Sequence, residues 1–306
     1  MRSTEPLALR RLIAGRWLLA VALGTSACAR QPSPEPLAPP APAAPQPTGA
    51  AVTTEPPPAP GTPSPAAAAP VAPEIPEYVR AAVGAPDRVE TDRALDAGRH
   101  PDQTLAFFGI LPGQRVAELA AGGGYTAELL ARVVGDKGAV FGQNSRAMLE
   151  KFAEQPWSER LKKPVMKNVV RVDRDHDDPL PPEAKNLDAV LFILFYHDTV
   201  WLKVDRDRMN RAVFAALRPG GVYGIIDHSA RAGAGVKEVE TLHRIEESVV
   251  KAEVERAGFV LDAEASFLRA PDDTRDWSAS PRTAGERRGT SDRFVLRFRK
   301  PAAGTP

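Results

Sequence analysis

Apolar positions recur along this chain at two spacings, and the alternation between them divides it into elements. Residues Glu77–Val83, Arg88–Gly98 and Asp102–Gly109 read as helices, the last with Leu105, Phe107 and Phe108 on one stripe. Arg115-Val116-Ala117 begins a strand, and Tyr125-Thr126-Ala127-Glu128-Leu129-Leu130 opens the next helix. Gly138–Gly142 is a short second strand, a helix carries Met148, Leu149 and Phe152, and Val165–Val172 is a third strand. Asp188–Leu194 is almost wholly apolar, as a parallel strand buried on both faces must be. A helix at Asp205–Leu217, a turn at Arg218-Pro219-Gly220-Gly221 and a strand at Val222–Ile226 come next. The tail adds a helix (Glu246–Ala257), a strand (Gly258–Ala263) and a closing strand (Phe294–Arg299). Strands alternating with helices predict an α/β domain with a doubly wound, mostly parallel sheet.

Between the first strand and its helix lies Glu118-Leu119-Ala120-Ala121-Gly122-Gly123-Gly124. Glycines there let the backbone turn sharply and approach a ligand, while the helix start offers free N–H groups. Glu118 stands at the strand tip. An acid followed by Gly122-x-Gly124 at this place suits a nucleoside-bearing cofactor.

The chain does not begin with this domain. Arg2, Arg10, Arg11 and Arg16 precede the apolar run Trp17–Leu23, followed by Gly24-Thr25-Ser26-Ala27-Cys28. A basic start, a short apolar stretch and small residues describe an export signal over residues 1–28. Cys28 is the single cysteine, so an intramolecular disulfide is excluded. Its setting resembles a bacterial lipobox, with Thr25 in place of the usual leucine. That resemblance implies a lipidated N-terminus on the periplasmic side, at the outer membrane; the alternative is cleavage to a soluble periplasmic protein. Residues 29–73 hold more than half of the 31 prolines with almost no charge, and read as a disordered tether. The third segment, 74–302, fits one domain. With 40 basic and 39 acidic residues, no basic face argues for nucleic acid.

Three landmarks carry a resemblance: Glu118-x-x-x-Gly122-x-Gly124, the Leu180-Pro181 to Leu187-Asp188-Ala189-Val190 segment, and Leu217-Arg218-Pro219-Gly220-Gly221. Their order and spacing resemble class I S-adenosylmethionine-dependent methyltransferases. Tyr196-His197-Asp198, Asp227-His228-Ser229-Ala230, Leu242-His243-Arg244-Ile245 and Ser291–Leu296 narrow the resemblance to a group of exported predicted methyltransferases. It implies a seven-stranded sheet whose last strand is antiparallel, with S-adenosylmethionine as cofactor. Glu118, Gly122 and Gly124 would form the cofactor turn, Asp175 would cap the adenine, and Arg99 would meet the cofactor's carboxylate. Where the family usually places an acid on the ribose hydroxyls this chain has Gln143-Asn144, whose amides can hydrogen-bond hydroxyls without a carboxylate's charge.

Ligands of open α/β sheets bind beyond the carboxyl ends of the strands. Tyr196-His197-Asp198 follows the fourth strand and Asp227-His228 ends the fifth, so His197, Asp227 and His228 are the candidate catalytic residues, with His243 a possible neighbour. No His-x-x-x-His or similar spacing announces a metal, and none is expected. Pro271–Thr290 reads as a lid or binding loop. The expected activity is methyl transfer to a small molecule or an envelope component. The alternative is a non-catalytic lipoprotein that binds a nucleoside-like ligand on the same fold; a tethered interaction module with a vestigial pocket is a third reading.

Overall fold

The structure, a computed structural model, describes residues 74–302. The signal-like segment, Cys28 and the proline-rich tract lie outside the described residues. Helices α1 (Glu77–Val83), α2 (Glu90–Arg99) and α3 (Pro101–Phe107) lead into strand β1 (Arg115–Leu119). Helix α4 (Tyr125–Val134) and β2 (Ala139–Asn144) follow, then a continuous helical stretch of α5 (Arg146–Met148), a π-helical turn (Leu149–Ala153) and α6 (Glu154–Leu161). Next come β3 (Val169–Asp173), β4 (Leu187–Ile193), α7 (Tyr196–Trp201), α8 (Arg206–Ala216) and β5 (Leu217–His228). Helix α9 (Glu247–Arg256), β6 (Val260–Ala265) and β7 (Arg293–Arg299) complete the domain.

The seven strands form one sheet in the order β3-β2-β1-β4-β5-β7-β6. Neighbours from β3 to β5 are parallel, and β7 runs antiparallel to both β5 and β6. Alternate residues of a strand serve opposite faces. Val116, Ala189, Leu191 and Ile226 pack with α1, α3 and α4 through Val79, Leu105, Phe108 and Leu130. Ala117, Val190, Phe192 and Ile225 pack on the other face with Met209, Val213, Val250 and Val254 of α8 and α9. The central strands are thus covered twice, which is why Asp188–Leu194 carries so few polar residues.

Three expectations shift. The third strand begins at Val169 rather than Val165, because Pro164 opens a 3₁₀ turn that buries Met166 first. Arg218-Pro219-Gly220-Gly221 is a bulge inside β5, since Leu217 already pairs with Leu187 before the register resumes at Val222 with Ala189. The second helix starts at Glu90; Arg88 instead folds back to pair with Asp96 at 2.7 Å. Among the described residues no helix is long and apolar enough to cross a membrane.

Candidate active site at the carboxyl ends of the strands

The glycine segment folds as a tight turn from β1 into α4. Gly122 and Gly124 take φ of 57° and 84°, a region glycine enters without steric cost. Gly124 has a second requirement: a Cβ there would lie 2.4 Å from the Trp157 ring, and one on Gly142 would lie 2.7 Å from the same ring. The tryptophan of α6 is fully buried beneath the turn.

Gln143 and Asn144 hold this turn from below. Ala120 N–H donates to Gln143 Oε1 at 3.0 Å, and Gly122 N–H donates to Asn144 Oδ1 at 2.8 Å. Asn144 Nδ2 returns a bond to the Gly122 carbonyl at 3.1 Å, and Gln143 Nε2 donates to the Arg174 carbonyl at 2.6 Å. Both side chains are buried completely. This corrects the expectation that they stand in for a ribose-binding acid: their amide groups are already engaged with backbone. Asp175 departs from expectation too, lying exposed on the loop after β3 and outside the cleft lining. Its neighbour His176 turns inward instead, with its ring 5.0 Å from that of Phe195 and burial holding its pKa down to about 4.

Glu118 lies at the carboxyl end of β1, beside the glycine turn. It is buried at the cleft edge, and its Oε2 has no hydrogen-bond partner among the described residues. Burial pushes its pKa up to about 8, against the opposing pull of the Thr126 hydroxyl, the Arg99 guanidinium and the Ala127 N–H. Arg99, at the end of α2, stacks its guanidinium 4.6 Å from the Tyr125 ring centroid and also lines the cleft.

From the turn the cleft runs, with about 990 Å³ of room, to a cluster of imidazoles. Asp227, fully buried near the end of β5, fastens this cluster. Its Oδ1 accepts from His197 Nδ1 at 2.7 Å and from the His228 N–H at 2.8 Å, and its Oδ2 accepts the His197 N–H at 2.7 Å. Burial opposes charge on His197, but the Asp227 and Asp198 carboxylates outweigh it and push the ring up to about 10. His228 moves the other way. Burial, then the cationic His197, Arg293 and Arg244, hold it well below the usual histidine range. Its Nδ1 shares a 2.7 Å hydrogen bond with Ser291 Oγ. The structure therefore brings His197, Asp227 and His228 together. It adds His243, whose Nδ1 is 3.2 Å from His197 Nε2, and Asp198, held well below the usual carboxylate range despite its burial by His197 and His243.

Sequence reading passed over Trp201 and Ser291. Trp201 Nε1 donates to Asp198 Oδ1 at 2.8 Å, a contact that the spacing of three residues on a helix makes available. Ser291 meets His228 across 63 residues, with no local signal to announce it. The Pro271–Thr290 connection supplies a wall of the cleft through Ala279–Arg282 and Arg288, and Arg282 stacks over exposed Phe152 at 4.5 Å.

No family model matches the chain, and no curated protein does. Solved structures do. A protein from Galdieria sulphuraria assigned as a sarcosine dimethylglycine methyltransferase superposes with a TM-score of 0.50 at 16% identity, covering 75% of this chain and 92% of that one. An S-adenosylmethionine-dependent methyltransferase from Aquifex aeolicus gives 0.48 at 18% identity, covering 69% and 97%. Fibrillarin from Aeropyrum pernix, solved with natively bound S-adenosylmethionine, gives 0.40 at 14% identity, covering 62% and 67%. At such identities the likeness concerns architecture. The described residues have the fold of the class I S-adenosylmethionine-dependent methyltransferases, with a large cleft at the carboxyl ends of β1, β4 and β5.

Proposed function

We propose that this chain binds S-adenosylmethionine and transfers its methyl group to a small-molecule or envelope acceptor. The observation that carries the proposal is the buried, unpartnered Oε2 of Glu118 at the edge of the cleft beside the Gly122–Gly124 turn. A carboxylate oxygen left without a partner in so dry a place costs free energy unless a ligand supplies a donor or a cation. S-adenosylmethionine carries both an ammonium and ribose hydroxyls, either of which can donate to this oxygen. When bound, the cofactor supplies an electrophilic methyl on a sulfonium. The chain's own residues bind and orient: Glu118, Arg99, His197 and His228 line the same cleft, and Asp227 fastens the two histidines from beneath it. In-line displacement relies largely on such positioning.

Calorimetric titration of S-adenosylmethionine and S-adenosylhomocysteine into the full chain tests the proposal. Micromolar binding that is lost in Glu118→Ala supports it, and absence of binding by both ligands overturns it. We further propose that the chain is exported and anchored through a lipid on Cys28, with residues 29–73 as a tether. The basic, short-apolar, small-residue order of residues 1–28 supports that placement.

A further inference from the structure

His197, Asp198 and His243 form a closed triangle at the cleft. His197 Nε2 and His243 Nδ1 are 3.2 Å apart. Asp198 Oδ1 lies 3.2 Å from the first nitrogen and 3.3 Å from the second. Hydrogen bonds account poorly for this arrangement. One proton of His197 is taken by Asp227 through Nδ1. Protons on His197 Nε2 and His243 Nδ1 can bridge two edges, which sets like against like on the third. The triangle does have the size of one face of a coordination tetrahedron. With bonds of about 2.0–2.1 Å, tetrahedral ligand atoms sit about 3.3–3.4 Å apart. Octahedral neighbours at the same bond length sit at about 2.9 Å.

Two further features suit a metal. Each of two ligands has an outer partner that fixes its direction: Asp227 accepts from His197 Nδ1 at 2.7 Å, and Trp201 Nε1 donates to Asp198 at 2.8 Å. His243 is held at φ 51°, a strained backbone conformation of the kind retained at functional sites. All three residues border the cleft, so a fourth position faces its interior.

We infer that His197, Asp198 and His243 bind one divalent transition ion of the zinc class, with a coordination position open to an oxygen or sulfur donor of the acceptor. Two imidazoles and one carboxylate favour such an ion over magnesium or calcium. The acceptor's role rests on the methyl-transfer proposal; the ion site does not. An acceptor hydroxyl or thiol placed there loses its proton to solvent more readily. Its lone pair bonds to the methyl carbon, and the carbon–sulfur bond of the sulfonium breaks with its electrons going to sulfur.

The test uses the chelator-treated full chain, titrated with Zn²⁺ by calorimetry and with Co²⁺ by visible absorption. The expected result is one ion per chain and the intense bands of tetrahedral Co²⁺, both lost in His243→Ala. Asp227→Asn, which alters a positioning residue, is expected to weaken uptake by about 10–100-fold. The His243 side chain is 25% exposed, so its truncation leaves the core intact, and a melting curve verifies this. Absence of Zn²⁺ and Co²⁺ uptake overturns the site, as does uptake indifferent to His243→Ala. S-adenosylmethionine titration of the same wild-type sample is read separately, so failure of the ion site and failure of the cofactor proposal remain distinguishable.

Discussion

At Glu118 two requirements oppose each other: the proposed function wants the carboxylate charged for a cationic ligand, yet its surroundings disfavour charge. Its value rises from an ordinary 4.5 to about 8 in the folded chain. A carboxyl raised in this way contributes stability that is fully present below the unfolded value and is lost as pH climbs through the folded one. Glu118→Gln lacks this term. Its melting temperature relative to wild type is therefore expected to rise between pH 4.5 and pH 8 and to level off above, as thermal unfolding across that range would register. A constant difference would mean that Glu118 is ionised throughout. The turn after β1 was legible in the sequence because its signal is local, Glu118 followed by Gly122 and Gly124 at one strand end. Gln143 and Asn144 were not, because their partners lie 22 to 31 residues away and the amides look equally ready for a ligand or a backbone. Asp175 and His176 show a further limit, since neighbouring residues on a loop face opposite ways and no periodicity says which turns inward.

The Pro271–Thr290 connection illustrates the same difficulty at the level of elements. Its length and polar composition suggested a lid, yet a buried ion pair ties its start to the segment between β5 and α9. Arg244 and Asp273, with side chains 0% and 1% exposed, meet at 2.8 Å. Arg244 also donates to the Ser229 and Trp277 carbonyls and stacks 4.8 Å from the Trp277 ring. Removing one partner strands a buried charge, so Asp273→Ala is expected to cost about 3–5 kcal/mol in denaturant unfolding. Glu77→Ala, which breaks the exposed Arg80 pair, is the comparison and should leave the midpoint unmoved. Equal effects would show that Arg244 is satisfied by its carbonyl partners alone. Long elements with strong periodicity, β4 and α8 among them, fell within a residue of their expected ends. Helix α7 went unread because Tyr196–Trp201 is too short for a period to emerge, and it is the helix that presents His197, Asp198 and Trp201.

For the molecule as a whole, strand order decides which distant segments meet. With β1, β4 and β5 adjacent, their three carboxyl ends deliver the glycine turn, α7 and Asp227-His228 to one cleft, and the α/β alternation in the sequence was enough to foresee that convergence. The ion triangle was not foreseeable, because His243 lies 46 residues beyond His197 and no short spacing links it to the His197-Asp198 pair. Anchoring belongs to this scale as well. Expressed in a Gram-negative host, the full chain is expected to fractionate with membranes, and Cys28→Ser is expected to move it to the soluble periplasmic fraction; identical partitioning of the two would exclude the lipid. Trp157, meanwhile, occupies the space that side chains at Gly124 and Gly142 would need, joining α6, the glycine turn and β2 through one ring. Positions 142 and 157 are thereby coupled in inheritance. Among descendants of a common ancestor, a larger residue at 142 should travel with a smaller one at 157, whereas Gly124, held at φ 84°, should persist whichever residue stands at 157.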